Sequence, residues 1–168
     1  HAVWGLEVAH AAGEALVRAT LSALFTDPDA EVRAQAAHVA GDLRAMDAVD
    51  TLIRMLRDPS PRVRLYAAIG LARTRRDRAF DPLLALLREV GQQDPHLRHA
   101  ATYALAYCST VQKLASLAED PSPDVRVAAV VALRRAKSPL VSRFLEDRDE
   151  RVAAEAARAA YDTPIPDS

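Results

Sequence analysis

Two histidines three residues apart, His96 and His99, lie near an expected helix start, where one helix face could offer both imidazoles to a transition metal. Such metals need three or four converging ligands, and the sequence fixes no acidic residue or third histidine beside the pair; His1, His10 and His38 lie elsewhere. The one cysteine, Cys108, could act as a thiolate nucleophile, yet it falls at a helix junction with no histidine at a motif spacing. A single cysteine also excludes an internal disulfide and a cysteine-built zinc or iron–sulfur cage. The stretch RTRRDR, Arg73 to Arg78, could grip phosphates. It sits on a chain with 22 basic and 23 acidic residues, whose formal charge of −1 creates no general field for a polyanion or an acidic membrane surface. No G-x-S-x-G, phosphate loop or dinucleotide fingerprint is present. The residues point to no catalytic group, no metal site and no cofactor.

What recurs along the chain is arginine and aspartate. Arg33, Arg64, Arg98 and Arg126 each follow a hydrophobic anchor, and Asp27, Asp58, Asp120 and Asp147 stand five residues before one. The anchors are Val32, Val63, Leu97, Val125 and Val152, separated by 31, 34, 28 and 27 residues, the range of a stacked supersecondary unit. Chemically the two columns could be an anion-binding arginine row, or a ladder of Asp–Arg contacts that satisfies loop backbone and sets the stacking register. The ready acidic partners favour the ladder.

Three residues before each anchor stand Asp29, Ser60, Asp94, Ser122 and Asp149, side chains that accept from the free N–H groups of a starting helix. Pro61, Pro95 and Pro123 follow three of them, at the first helical position where a missing N–H costs nothing. Apolar residues then recur at helical spacing, as in Val63, Ala67, Ala68 and Leu71, and second stripes lie between, as in Phe80, Leu83, Leu84 and Leu87. Another stripe is Leu140, Val141, Phe144 and Leu145. An apolar share of 50% with only 5% aromatic residues suits close-packed helices. The fold expected is all-α, a right-handed α-solenoid of about five helical hairpins.

Positions three, six and ten after each anchor are expected to face away from the outer helices. They collect Trp4, Tyr66, Ile69, Tyr103 and Tyr107, with Gln35, His38 and Arg73 around them. Aromatic residues with a polar rim are what protein contacts use. The alternative is that these rings fill gaps between adjacent inner helices.

The opening DP-x-x-x-VR-x-x-AA-x-AL of each second helix resembles the HEAT repeat, particularly the short bacterial HEAT-like type also found in phycobilin lyases. The resemblance rests on DPDAEVRAQAAHVAG from Asp27, DPSPRVRLYAAIGLA from Asp58, QQDPHLRHAATYALA from Gln92, DPSPDVRVAAVVALR from Asp120 and DRDERVAAEAARAAY from Asp147, where Ala153 replaces the arginine. It implies a non-catalytic scaffold whose concave side binds a partner protein or a neighbouring domain, or else a groove that handles a linear tetrapyrrole. HEAT-like di-iron hydroxylases carry repeated His-Glu dipeptides, which are absent here, and HEAT-like DNA glycosylases use broad basic surfaces, against one local cluster here. More narrowly, DPHLRHAATYAL and the closing RVAAEAARAAYDTPIPD are similar to the HEAT segment of large exported, membrane-bound-dehydrogenase-like bacterial proteins with a β-propeller and a c-type cytochrome. That likeness would imply an exported chain whose redox chemistry belongs to neighbouring domains, since no C-x-x-C-H is present.

Residues 1–168 are read as one repeat domain. HAVWGL at its start aligns with YAAIGL at 66–71, so 1–11 is a truncated leading repeat and the chain is expected to be a fragment of a longer protein. Residues 162–168, with Pro164 and Pro166, form a non-helical tail. No stretch approaches the roughly 18 apolar residues of a membrane helix.

Overall fold

A computed structural model describes residues 14–162, with side chains from Ala19 onward. Among the described residues the regular structure is helical: α1 (Glu14–Leu24), α2 (Ala30–Asp42), α3 (Val49–Met55), α4 (Pro61–Thr74), α5 (Phe80–Val90), α6 (Pro95–Tyr107), α7 (Val111–Ser116), α8 (Pro123–Arg135) and α9 (Glu150–Asp162). Single 3-10 turns precede α3 and α5, and a six-residue 3-10 segment, Pro139–Phe144, precedes α9. The helices pair into hairpins whose second members, α2, α4, α6, α8 and α9, pack successively side by side, which makes the fold an α-solenoid. The first member of the last hairpin is the 3-10 segment. It is boxed between the Ser138 cap and the turn at Asp147, and short runs favour that tighter helix. Helix α9 runs through Asp162, where the sequence places the start of the tail; the rest of the tail and the leading segment 1–11 lie outside the described residues.

Anchors Val63, Leu97, Val125 and Val152 are buried, while Val32 in the first described hairpin is half-buried. They share the core with Leu52, Leu71, Leu83, Leu87, Leu105, Leu133 and Phe144. Between second helices the filling is small: Ala36, Ala37, Ala67, Ala68, Ala101, Ala104 and Ala129 are wholly buried. At α2 against α4 even a methyl is too much, because a Cβ on Gly41 would lie 2.6 Å from the Cα of Gly70, and one on Gly70 would lie 3.0 Å from the carbonyl oxygen of Ala37.

Each loop into a second helix is folded by its aspartate. Oδ1 of Asp27, Asp58, Asp120 and Asp147 accepts the N–H two residues on, at 2.8–2.9 Å. Those N–H groups belong to Asp29, Ser60, Ser122 and Asp149, the residues at the helix starts. Asp29, Asp94, Ser122 and Asp149 in turn accept from Glu31, Leu97, Val125 and Arg151 N–H. Ser60 has cap backbone geometry but its hydroxyl makes no capping bond.

At two joints an arginine ties its own loop to the aspartate of the next repeat. Arg33 donates from Nε and Nη2 to both oxygens of Asp58, 2.9 Å each, and from Nη1 to the Asp27 and Pro28 carbonyls. Arg126 repeats this with Asp147 at 2.7 and 2.8 Å and the Asp120 and Pro121 carbonyls, and its side chain is 3% exposed. The two middle joints differ. Gln92 stands where the third repeat would need an aspartate, and Arg64 turns to Glu89 instead, leaving Nε and Nη2 buried without a hydrogen bond. The carboxylate of Asp120 is held by Arg88, and Arg98 makes no ion pair among the described residues.

Hydrogen bonds from Arg126 hold the Asp147 carboxyl below its usual value of 3.8; at Asp58 burial pushes upward, but the Arg33 bonds, the Ser60 N–H and the Arg33 charge together bring the carboxyl below that value too. Arg126→Ala therefore strands a buried carboxylate and should cost about 3–5 kcal/mol in urea unfolding at neutral pH. Arg33→Ala should cost less, its pair being more exposed. Because the folded-state carboxyl is depressed, the pair's contribution is full above about pH 4 and fades as pH falls further. The gap between wild type and Asp147→Asn should close in the same window.

Candidate interaction surface

Positions three, six and ten after the anchors lie on one face of the second helices, where Gln35, His38, Tyr66, Ile69, Arg73, Tyr103 and Tyr107 are half-buried. Tyr66, Ile69, Tyr103 and Tyr107 each pack partly on the core and partly open to solvent. From α2, His38 meets Tyr66 edge to face at 5.2 Å between ring centroids, with its Nδ1 3.3 Å from Asp42. On α6, Tyr103 and Tyr107 are 4.9 Å apart. Gln35 donates to Glu31, which also holds Arg62, and Arg62 lies 5.1 Å over the Tyr66 ring. Arg73 reaches back to pair with Asp42. The rings are thus neither free surface nor sealed core. Trp4 lies outside the described residues.

Arginine supplies the other half of this face. The Arg135 guanidinium stands 5.0 Å over Tyr103 and 5.1 Å over Tyr107, and its Nε and Nη2 donate to the Tyr107 hydroxyl at 3.1 and 2.7 Å. Arg75 stands 5.0 Å over Tyr107 from the end of α4. Hydrogen bonding from Arg135, ahead of its charge and that of Arg75, draws the Tyr107 phenol pKa below its usual 10.0. Arg135 is the tenth residue after Val125 and was available to the same count that finds Tyr107. Arg75, named in the sequence only within RTRRDR, sits past the helix in the left-handed conformation, φ 54°. Arg44 and Lys137 occupy the same twelfth position with φ 49° and 51°, where glycine is the usual choice.

Residues 17–106 match the family model for HEAT repeats. The chain belongs to the HEAT-repeat family. No curated protein matches it. Among solved structures, this HEAT protein resembles an engineered protein at 22% identity, covering 86% of this chain and 78% of that one with a TM-score of 0.50. A second engineered protein aligns at 22% identity over 95% of this chain and 50% of that one, TM-score 0.54. The complex of CpcE and CpcF of phycocyanin lyase from Nostoc sp. provides another, at 25% identity and a TM-score of 0.56, over 86% of this chain. This chain spans 64% of the lyase-complex chain it matches.

The remaining chemical candidates of this HEAT protein stay apart. His96 and His99 are exposed on the first turn of α6, and no group of three metal-binding side chains occurs among the described residues. RTRRDR is part helix and largely occupied: Arg73 pairs with Asp42, Arg76 contacts the Met46 sulfur, Arg78 pairs with Asp50, and Asp77 pairs with Lys113. No described helix is long and apolar enough to cross a membrane. A groove of about 720 Å³ runs between α6, α8 and α9 past Arg98, His99, Val131 and Glu155.

Cys108 closes the inner end of α6, buried, with Sγ 3.3 Å from the Leu71 carbonyl. Burial pushes its thiol up to about 11. Native protein should therefore resist iodoacetamide at about pH 8, where a free thiol reacts readily, and label only on denaturation. Rapid native labelling would show the thiol to be accessible.

Proposed function

We propose that this HEAT protein is a non-catalytic interaction scaffold, binding a partner protein or a neighbouring domain of a longer chain through the face its second helices present. Contact residues in this reading are Gln35, His38, Tyr66, Ile69, Arg73, Tyr103 and Tyr107, with Trp4 joined to them by sequence register. The observation that carries it is two pairs of half-exposed aromatic rings, His38 with Tyr66 and Tyr103 with Tyr107, on three successive second helices and fringed by arginine. Aromatic and arginine side chains are the types enriched where proteins meet, and repeat folds fix the spacing at which they are displayed. The rings also pack on the core, so deleting them would confuse binding with stability. A photo-crosslinker avoids that. Benzoylphenylalanine in place of Tyr103 should yield a discrete adduct on irradiation in the native host, and the same residue in place of the exposed Ala85 on α5 should not. Equal adducts from both positions would sink the reading.

Tetrapyrrole handling is a second reading, favoured by the likeness to the phycocyanin lyase complex. On that reading the protein incubated with phycocyanobilin should carry a visible absorption band through gel filtration. An eluted protein without the band rules it out.

A further inference from the structure

Most arginines around the second-helix face are neutralised. Arg62 is held by Glu31, Arg73 by Asp42, Arg78 by Asp50, and Arg134 by Glu155 and Asp162. Arg75 and Arg135 are different: both are exposed, and among the described residues neither pairs with a carboxylate. Both guanidiniums nevertheless converge on one ring, each about 5 Å from the centre of Tyr107. They can be no more than about 10 Å apart, within a screening length at physiological salt, so their fields add. The phenol between them shows what this place stabilises, since its ionised form is favoured by the Arg135 hydrogen bonds and the two positive charges.

We propose that Arg75 and Arg135, splayed around Tyr107 where α4, α6 and α8 end, receive the carboxylates of an acidic peptide segment in the partner, an inference that rests on the interaction reading above. Arg75 offers a planar fork that fits a carboxylate, and Arg135, whose Nε and Nη2 donate to Tyr107, keeps Nη1 and its charge for a second one. Tyr103, under the Arg135 guanidinium, provides apolar contact for the same segment. A polypeptide fits better than a nucleic acid, because Arg73, Arg76 and Arg78 of the RTRRDR stretch are engaged in inter-repeat contacts, and the chain's charge is −1. Phosphate backbones are held by longer runs of free charge.

The test is fluorescence anisotropy with labelled poly-glutamate, with poly-lysine and a single-stranded oligonucleotide as comparison probes. Poly-glutamate should bind saturably and more weakly as salt rises, and Arg75→Gln/Arg135→Gln should weaken it at least about tenfold with the melting curve little changed. The rim variant Arg44→Gln/Lys137→Gln removes as much charge and should leave affinity unaltered. The proposal is overturned by absent poly-glutamate binding at low salt, by equal losses in the two variants, or by tighter binding of the oligonucleotide. A Tyr103 crosslink that forms in full without Arg75 and Arg135, on a protein that ignores poly-glutamate, overturns the acidic chemistry while the interaction surface stands. Failure to form any adduct overturns both.

Discussion

At Gly41 and Gly70 the backbones of α2 and α4 come so close that a methyl on either would collide with the other's main chain, and the rest of the molecule is arranged around that seam. Alanine continues it along the later second helices, at Ala101, Ala104 and Ala129. Small residues bury little apolar area each, so leucines of the outer helices and the anchors carry most of the hydrophobic burial. Large side chains on the second helices are excluded from the seam and emerge on the face opposite the outer helices. Tyr66, Tyr103, Tyr107 and Arg135 share a surface because there is no room for them elsewhere.

Arginine serves three distinct purposes in this frame. At Arg33 and Arg126 it is a tie, joining one repeat's loop carbonyls to the next repeat's aspartate. At Arg62, Arg78 and Arg134 it is a surface counter-ion, of small worth singly in water. At Arg75 and Arg135 it lies over tyrosine with its charge uncompensated. The same residue type differs in role because burial and neighbours differ, a difference that position within the repeat largely sets.

Position within the repeat was also what the sequence could be read for. A period of roughly 30 residues, with a capping side chain three residues ahead of each anchor and proline after it in three of them, is a local signal, and the helix starts at Ala30, Pro61, Pro95, Pro123 and Glu150 follow it. The Arg33–Asp58 and Arg126–Asp147 pairs are legible for the same reason. Arg64 and Arg98 are not, because their partners depend on what the neighbouring repeat substitutes: Gln92 for an aspartate in one case, and Arg88 competing for Asp120 in the other. Arg75 is met in the sequence only as part of RTRRDR, although a basic residue recurs at its position in Arg44 and Lys137. The tyrosines' half-burial escaped, since exposure depends on how closely adjacent helices approach.

The two ties lie at the ends of the described solenoid, between the first and second hairpins and between the fourth and fifth. The middle joints carry other pairs instead, Arg64 with Glu89 and Arg88 with Asp120, and Tyr66, Tyr103, Tyr107 and Arg135 straddle those joints. The end joints thus repeat one arrangement, while each central joint is solved in its own way, and it is over those unlike joints that the chain spreads its tyrosines.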